Sequence, residues 1–230
     1  SDMFTLERGK NIALYVGWGH GFPFGGFLDS TSVVNHRIVG PDGKEVRAQF
    51  NNSHEFESVD RVNTDGVFML GAEKAPSFYS HTNKGGRRGN RETIMDAKVT
   101  SCGYTYSYMK GLVSVGDGGK GATGTLGQDM EIILMKDPAN LSRGDKLSFK
   151  VVFKGEPLKV KVNALWHGYT GEEEFPSSIE TDENGKGEFT LDNKGVWLFE
   201  ALLEKPYEDE NVCDVEKHRA VLTFPFMPEK

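Results

Sequence analysis

The chain is short of cysteine, long apolar runs and helical periodicity, and each shortage closes off a class of protein. Two cysteines in 230 residues, Cys102 and Cys213, lack CxxC spacing and are too few for a cysteine-built metal cluster. No apolar run reaches the roughly 18 residues that a membrane-spanning helix needs, which argues against direct membrane insertion. No amphipathic helix of about twelve residues or more can be traced, which disfavours an α/β enzyme. No secretion signal is seen in the residues given, and no repeat recurs at a fixed period.

Excess positive charge is also missing. The net charge is −7, and it is uneven: residues 1–136 hold 15 Lys+Arg against 15 Asp+Glu, residues 137–230 hold 12 against 19. Nucleic-acid binding needs clustered Lys and Arg to neutralise phosphates, so an acidic chain of this kind disfavours it. Gly116-Asp117-Gly118-Gly119-Lys120-Gly121 matches GxGxxG on paper. A dinucleotide fingerprint requires a helix to open at that point, and Ala-Thr-Gly-Thr-Leu-Gly will not form one, so no nucleotide is expected. There is no GxSxG elbow, no HExxH and no HxE with CxxC, and the reading is of a protein that is not an enzyme.

What the chain does have is period-two alternation. Lys146 to Phe153 and Leu158 to Ala164 alternate apolar and polar residues, the mark of strands with one buried face, and Gly155-Glu156-Pro157 and Glu183-Asn184-Gly185 supply turns. Pro41-Asp42-Gly43 predicts a hairpin between Val33 to Val39 and Lys44 to Phe50. Asn11 to Val16, Gly66 to Leu70, Ser77 to His81, Ala97 to Thr100, Tyr104 to Val115 and Met130 to Leu134 are further strand candidates. The polar, basic stretch between His81 and Glu92 reads as a loop, and Gly116 to Gly127 as a long flexible connection. The expected fold is all-β: two sandwich-like domains, residues 1–136 and 137–230, the second immunoglobulin- or transthyretin-like.

Several residues point to binding chemistry. Imidazole suits nickel, cobalt, copper and zinc. His20 stands between glycines in a loop, where small neighbours allow close approach; His81 opens the basic loop; His54 has Glu55 beside it. His167, Glu172 and Asp29 are further candidates, as direct ligands or as acceptors behind an imidazole N–H. Trp18, Phe22, Phe24 and Phe27 surround the glycine-rich loop and either line a pocket or pack in a core. Trp197 reads as a core anchor. Tyr104, Tyr106 and Tyr108 alternate and so share one strand face, available for packing or for a partner. Cys102 and Cys213 form a disulfide in an oxidising compartment, or else are buried thiols or a soft metal ligand.

The string Asp137-Pro138, Leu141, Gly144-Asp145, Gly155-Glu156-Pro157-Leu158, Thr181-Asp182, Asn184-Gly185, Gly195-Val196-Trp197 and Ala220 to Phe224 resembles the periplasmic components of cobalt and nickel uptake systems, domain of unknown function 4198. Gly17 to Pro23 and Tyr108-Met109-Lys110-Gly111 carry the resemblance into the first half. It implies a periplasmic or otherwise secreted protein that binds nickel or cobalt (zinc or copper as alternatives) and passes it to membrane transporter components. The competing expectation is a protein- or glycan-interaction module of the cell envelope.

Overall fold

A computed structural model describes residues 4–17, 22, 26–50, 55–170 and 175–228. Its strands, in chain order, are β1 (Thr5–Leu6), β2 (Ala13–Tyr15), β3 (Val33–Val39), β4 (Glu45–Val46), β5 (Ala48–Phe50), β6 (Glu55–Ser58), β7 (Gly66–Thr82), β8 (Gly85–Arg88) and β9 (Val99–Val115). They continue with β10 (Met130–Leu134), β11 (Lys146–Phe153), β12 (Glu156–Pro157), β13 (Lys161–Trp166), β14 (Ser177–Glu180), β15 (Lys186–Thr190), β16 (Gly195–Pro206) and β17 (Val215–Phe226). Helix among the described residues is confined to two 3-10 turns, Ser30–Ser32 and Pro138–Asn140, each capped by an aspartate side chain. The all-β expectation holds.

One large sheet organises the molecule, in the order β14-β13-β16-β17-β9-β7-β3-β4, with β1 beside β9 and β8 beside β7. Its centre is buried on both faces. Along β7, Val67 and Met69 join one core while Phe68, Leu70 and Ala72 join another, because successive side chains of a strand point to opposite faces. That is why Gly66 to Ala72 is an unbroken buried run. The first core lies beneath the small sheet of β10, β11, β12 and β15, and its largest side chains include Phe149, Trp197, Phe199, Phe224 and Phe226. The second lies beneath β2-β6-β5 and gathers Ile12, Val16, Ile38, Phe56, Phe68 and Val113. Two sandwiches therefore share one sheet and use its opposite faces. Residue 136 falls between β10 and β11, neighbours in one small sheet, and the large sheet takes strands from both sides of it.

Two segments differ from the sequence expectation. The basic stretch after His81 is a hairpin, with Tyr79 to Thr82 pairing Gly85 to Arg88. Residues 116–128 are fastened to the sheet: the Lys120 carbonyl accepts from Val67 N–H at 2.8 Å, and Ala122 and Leu126 are buried. Gly121 has φ +121°, and a Cβ there would collide with the Val67 carbonyl, so only glycine permits this approach. Beneath it, Lys110 and Glu131, both nearly inaccessible, form an ion pair of 2.7 Å. The ammonium also donates to the Gly124 carbonyl at 2.8 Å, and the carboxylate accepts from the Leu126 and Gly127 N–H groups at 2.8 and 3.0 Å. Burial alone pushes the lysine pKa down, while the carboxylate and its hydrogen bond oppose that shift.

Candidate functional site

Tyr104, Tyr106 and Tyr108 do share one face of β9, the face that carries the first core, and they lie beyond the cover of the small sheet at graded depth. Tyr108 is buried; Tyr104 and Tyr106 are half-buried. They continue into a row of rings: Phe78 lies 4.4 Å from Tyr104, Tyr207 5.7 Å from Tyr104, Tyr104 5.3 Å edge-on from Tyr106, and Tyr106 stacks at 4.7 Å on His218. Phe153 meets the other side of the row through His218 at 4.7 Å, and Lys205 sits 4.9 Å over the Phe153 ring.

His218 is the buried pivot, 3% exposed. Burial lowers its pKa more than Glu216 raises it, so the ring is neutral. Neutrality fixes the proton positions: Nε2–H donates to Glu216 Oε1 at 2.5 Å, and Nδ1 accepts from the Tyr108 hydroxyl at 3.2 Å. Burial would push the Glu216 pKa up, but its bonds from His218 and Lys205 outweigh that and hold it down as a carboxylate. Burial, and then the charges of Asp129 and Glu73, push the Tyr108 phenol well above its ordinary value. Tyr108 is therefore a neutral donor to His218.

Beside this row, β3, β7, β9 and the turn at residues 127–129 enclose a cleft of about 360 Å³, lined among others by Asn35, Arg37, Glu73, Tyr106, Tyr108 and Asp129. Asn35 donates to Glu73 at 2.8 Å, and Arg37 donates to the Leu126 carbonyl at 2.9 Å, which fixes both side chains. Gln128 donates to the Ala72 and Met109 carbonyls at 3.2 and 3.3 Å and anchors the turn that forms the rim. The lining combines donors (Asn35, Arg37) with acceptors (Glu73, Asp129) beside phenol side chains, a mixture matched to hydroxyl groups rather than to one fixed charge.

Of the metal candidates, the three that are described, His81, His167 and Asp29, do not form a common cluster. His81 is exposed on β7, its ring edge-on to Tyr79 at 5.6 Å. His167 is exposed just past β13, four strand spacings from β7 across the sheet, roughly 19 Å at about 4.8 Å per spacing. Asp29 caps the first 3-10 turn, accepting from the N–H and hydroxyl of Thr31 at 2.9 and 2.7 Å. His20, His54 and Glu172 lie outside the described residues, as do Trp18 and Phe24; Phe27 is about half exposed. Among the described residues no three His, Cys, Asp or Glu side chains are placed to hold a metal ion. Cys102 and Cys213 are joined as a disulfide with their Cα atoms 5.0 Å apart, so neither is a thiolate ligand. Beside the bridge, Asp214 accepts from the Cys102 N–H at 2.7 Å and from Arg91 at 2.7 Å. The cleft itself escapes sequence reasoning, because its residues come from four separate stretches; the tyrosine alternation was its one legible signal.

No curated protein matches the chain in sequence. Solved structures that align with it include the ectodomain of mouse nectin-like molecule 4 (9% identity, TM-score 0.21, covering 100% of each chain). Others are the amphioxus IgVJ-C2 molecule (11%, 0.25, covering 97% of this chain and 99% of that one) and the fibronectin(III)-like modules of Clostridium thermocellum CbhA (12%, 0.21, 96% and 89%). At these scores they bear on neither fold nor function. No helix of the described residues is long and apolar enough to cross a membrane. The sequence profile described as "Domain of unknown function (DUF4198)" matches residues 1–205, and the chain belongs to that family.

Proposed function

We propose that the protein is a non-enzymatic, extracytoplasmic binding module that recognises a glycan at the cleft beside the tyrosine row. The observation that carries this reading is the junction of Tyr106 and Tyr108 with the polar rim of Asn35, Arg37, Glu73 and Asp129. Sugars present C–H faces that pack on aromatic rings and hydroxyl edges that bond to mixed donors and acceptors. The disulfide supports placement in an oxidising compartment. The test is a screen of neutral oligosaccharides against the wild-type chain and the Tyr106→Ala and Glu73→Gln variants. A ligand whose affinity falls about tenfold or more in both variants supports the reading. Binding that is absent, or indifferent to both changes, removes it.

The second reading is accessory nickel or cobalt binding with transfer to a membrane transporter. It draws on the resemblance of the sequence to periplasmic components of cobalt and nickel uptake systems and on His20 in the glycine-rich loop, with His54 and His81 as partners. Calorimetric titration of metal-free protein with nickel and cobalt decides it: a one-to-one isotherm lost in His20→Ala supports it, and a flat trace removes it.

A further inference from the structure

A second cleft, of about 470 Å³, opens at the far end of the sandwich built on β13 and β16, remote from the tyrosine row and lined by Arg143, Trp166, His167, Asp192, Asn193, Lys194 and Pro228. Its floor is the half-buried indole of Trp166, which rests on Trp197 at 5.2 Å and meets Tyr169 edge-on at 5.4 Å. Trp197, fully buried, donates its indole N–H to the Asn193 carbonyl at 2.7 Å. Arg143 Nε donates to the Asp192 carbonyl at 2.6 Å. The rim segment 192–194 is thus held from beneath by an indole and from the side by a guanidinium.

The charge of this rim runs against its surroundings. Residues 137–230 carry 12 Lys+Arg against 19 Asp+Glu, and several cations there, such as Lys159, Lys205 and Lys217, are paired with carboxylates. Arg143 and Lys194 make no ion pair with any described residue, although acidic groups outnumber them in this half and Asp192 lines the same cleft. Arg143 holds Asp192 by its backbone carbonyl, so the cation is fixed in place without an ion pair to any described carboxylate.

We infer that this cleft is a binding site for an anionic sugar, with Trp166 packing on the ring and Arg143 and Lys194 holding its acidic group. An aromatic floor supplies the apolar contact that a pyranose C–H face needs, a charge-assisted bond from a fixed guanidinium selects the anion, and Asn193 and Asp192 supply hydroxyl partners. The inference does not depend on the glycan reading of the tyrosine cleft, since the two sites share no residue.

The test is titration of the full, isotope-labelled chain with D-glucuronate, D-glucose 6-sulfate and D-glucose, following the Trp166 indole N–H resonance, which Trp166→Phe identifies. Saturable shifts with glucuronate are expected, with the apparent Kd raised about tenfold or more in the exposed double variant Arg143→Ala/Lys194→Ala and with glucose binding at least about tenfold more weakly. Competition by glucose 6-sulfate at similar concentration assigns the site to anionic sugars in general; its failure assigns it to carboxylated ones. Equal binding of glucose, no effect of the double variant, or no shift with either anion overturns the proposal. In the Tyr106→Ala variant the glucuronate shifts should be unchanged, which keeps this outcome separate from the fate of the tyrosine cleft.

Discussion

The two small sheets that cover the large one differ in what they bring to it. The cover of β10, β11, β12 and β15 is built around an eight-residue strand and brings two buried rings, Phe149 and Phe189, against Phe199 of the large sheet. The cover of β2, β5 and β6 has strands of three, three and four residues, and Phe56 is its one large ring that is fully buried. Short strands hold few ladder bonds, so the second cover depends on the side chains beneath it. The first sandwich is therefore the scaffold, and the two clefts sit at its margins, where rings and fixed polar groups emerge from a rigid base.

Four substitutions or conditions break or sharpen this contrast, in order of expected effect. Phe199→Ala should cost about 4 kcal/mol in denaturant unfolding and weaken the whole chain, because the cavity it leaves is walled by rings that cannot collapse into it. Glu131→Ala should cost about 3 to 4 kcal/mol, since it strands the Lys110 ammonium in the core; native-state hydrogen exchange should show residues 116–128 opening first. Phe56→Ala should cost about 3 kcal/mol, the low end for a buried ring, and its exchange should accelerate under β2, β5 and β6 while Val151 and Phe199 stay protected. If Phe56→Ala and Phe199→Ala open the same amides, the two covers form one cooperative unit and the contrast fails.

The smallest effect is pH-dependent. His218 has its pKa lowered by burial from the ordinary value of 6.5. The unfolded chain thus takes up a proton near pH 6.5 and the folded chain only at lower pH, so stability is full above 6.5 and falls as pH drops through that window. The slope from this group is at most about 1.4 kcal/mol per pH unit and should be smaller in His218→Gln, measured by denaturation at pH 7, 6 and 5.

Alternation was readable wherever one face of a strand is buried. Lys146 to Phe153 and the first arm of the Pro41-Asp42-Gly43 hairpin, Val33 to Val39, emerged at their observed bounds, whereas the second arm, expected as Lys44 to Phe50, divides into β4 on the large sheet and β5 on the cover. β7 was expected as two pieces, Gly66 to Leu70 and Ser77 to His81; between them the ladder slips from Lys74 opposite Ser107 to Ser77 opposite Thr105, and the strand continues through the bulge. Lys110 sits at a core position of β9 and breaks the apolar pattern, and only its pairing with Glu131, 21 residues on, explains it. The candidate sites were less legible. Tyr106 and Tyr108 were marked as one face, but Asn35, Glu73 and Asp129 join them only through the pairing of β3, β7 and β9 and the turn ahead of β10. Imidazoles scattered in sequence carry no such register, and His81 and His167 end far apart.

The parallel pairing of β17 with β9 sets an order of events at birth. Gly103 to Gly111 have their ladder partners in Val215 to Thr223, so an inner strand of the largest sheet stays an open edge until residues 215–223 have been made and can pair with it. During that interval a nine-pair stretch of backbone is a template for any passing strand, including that of a second nascent chain. A chain stopped before residue 215 would keep that edge permanently, and it should be recovered as aggregate rather than as a shortened, working protein.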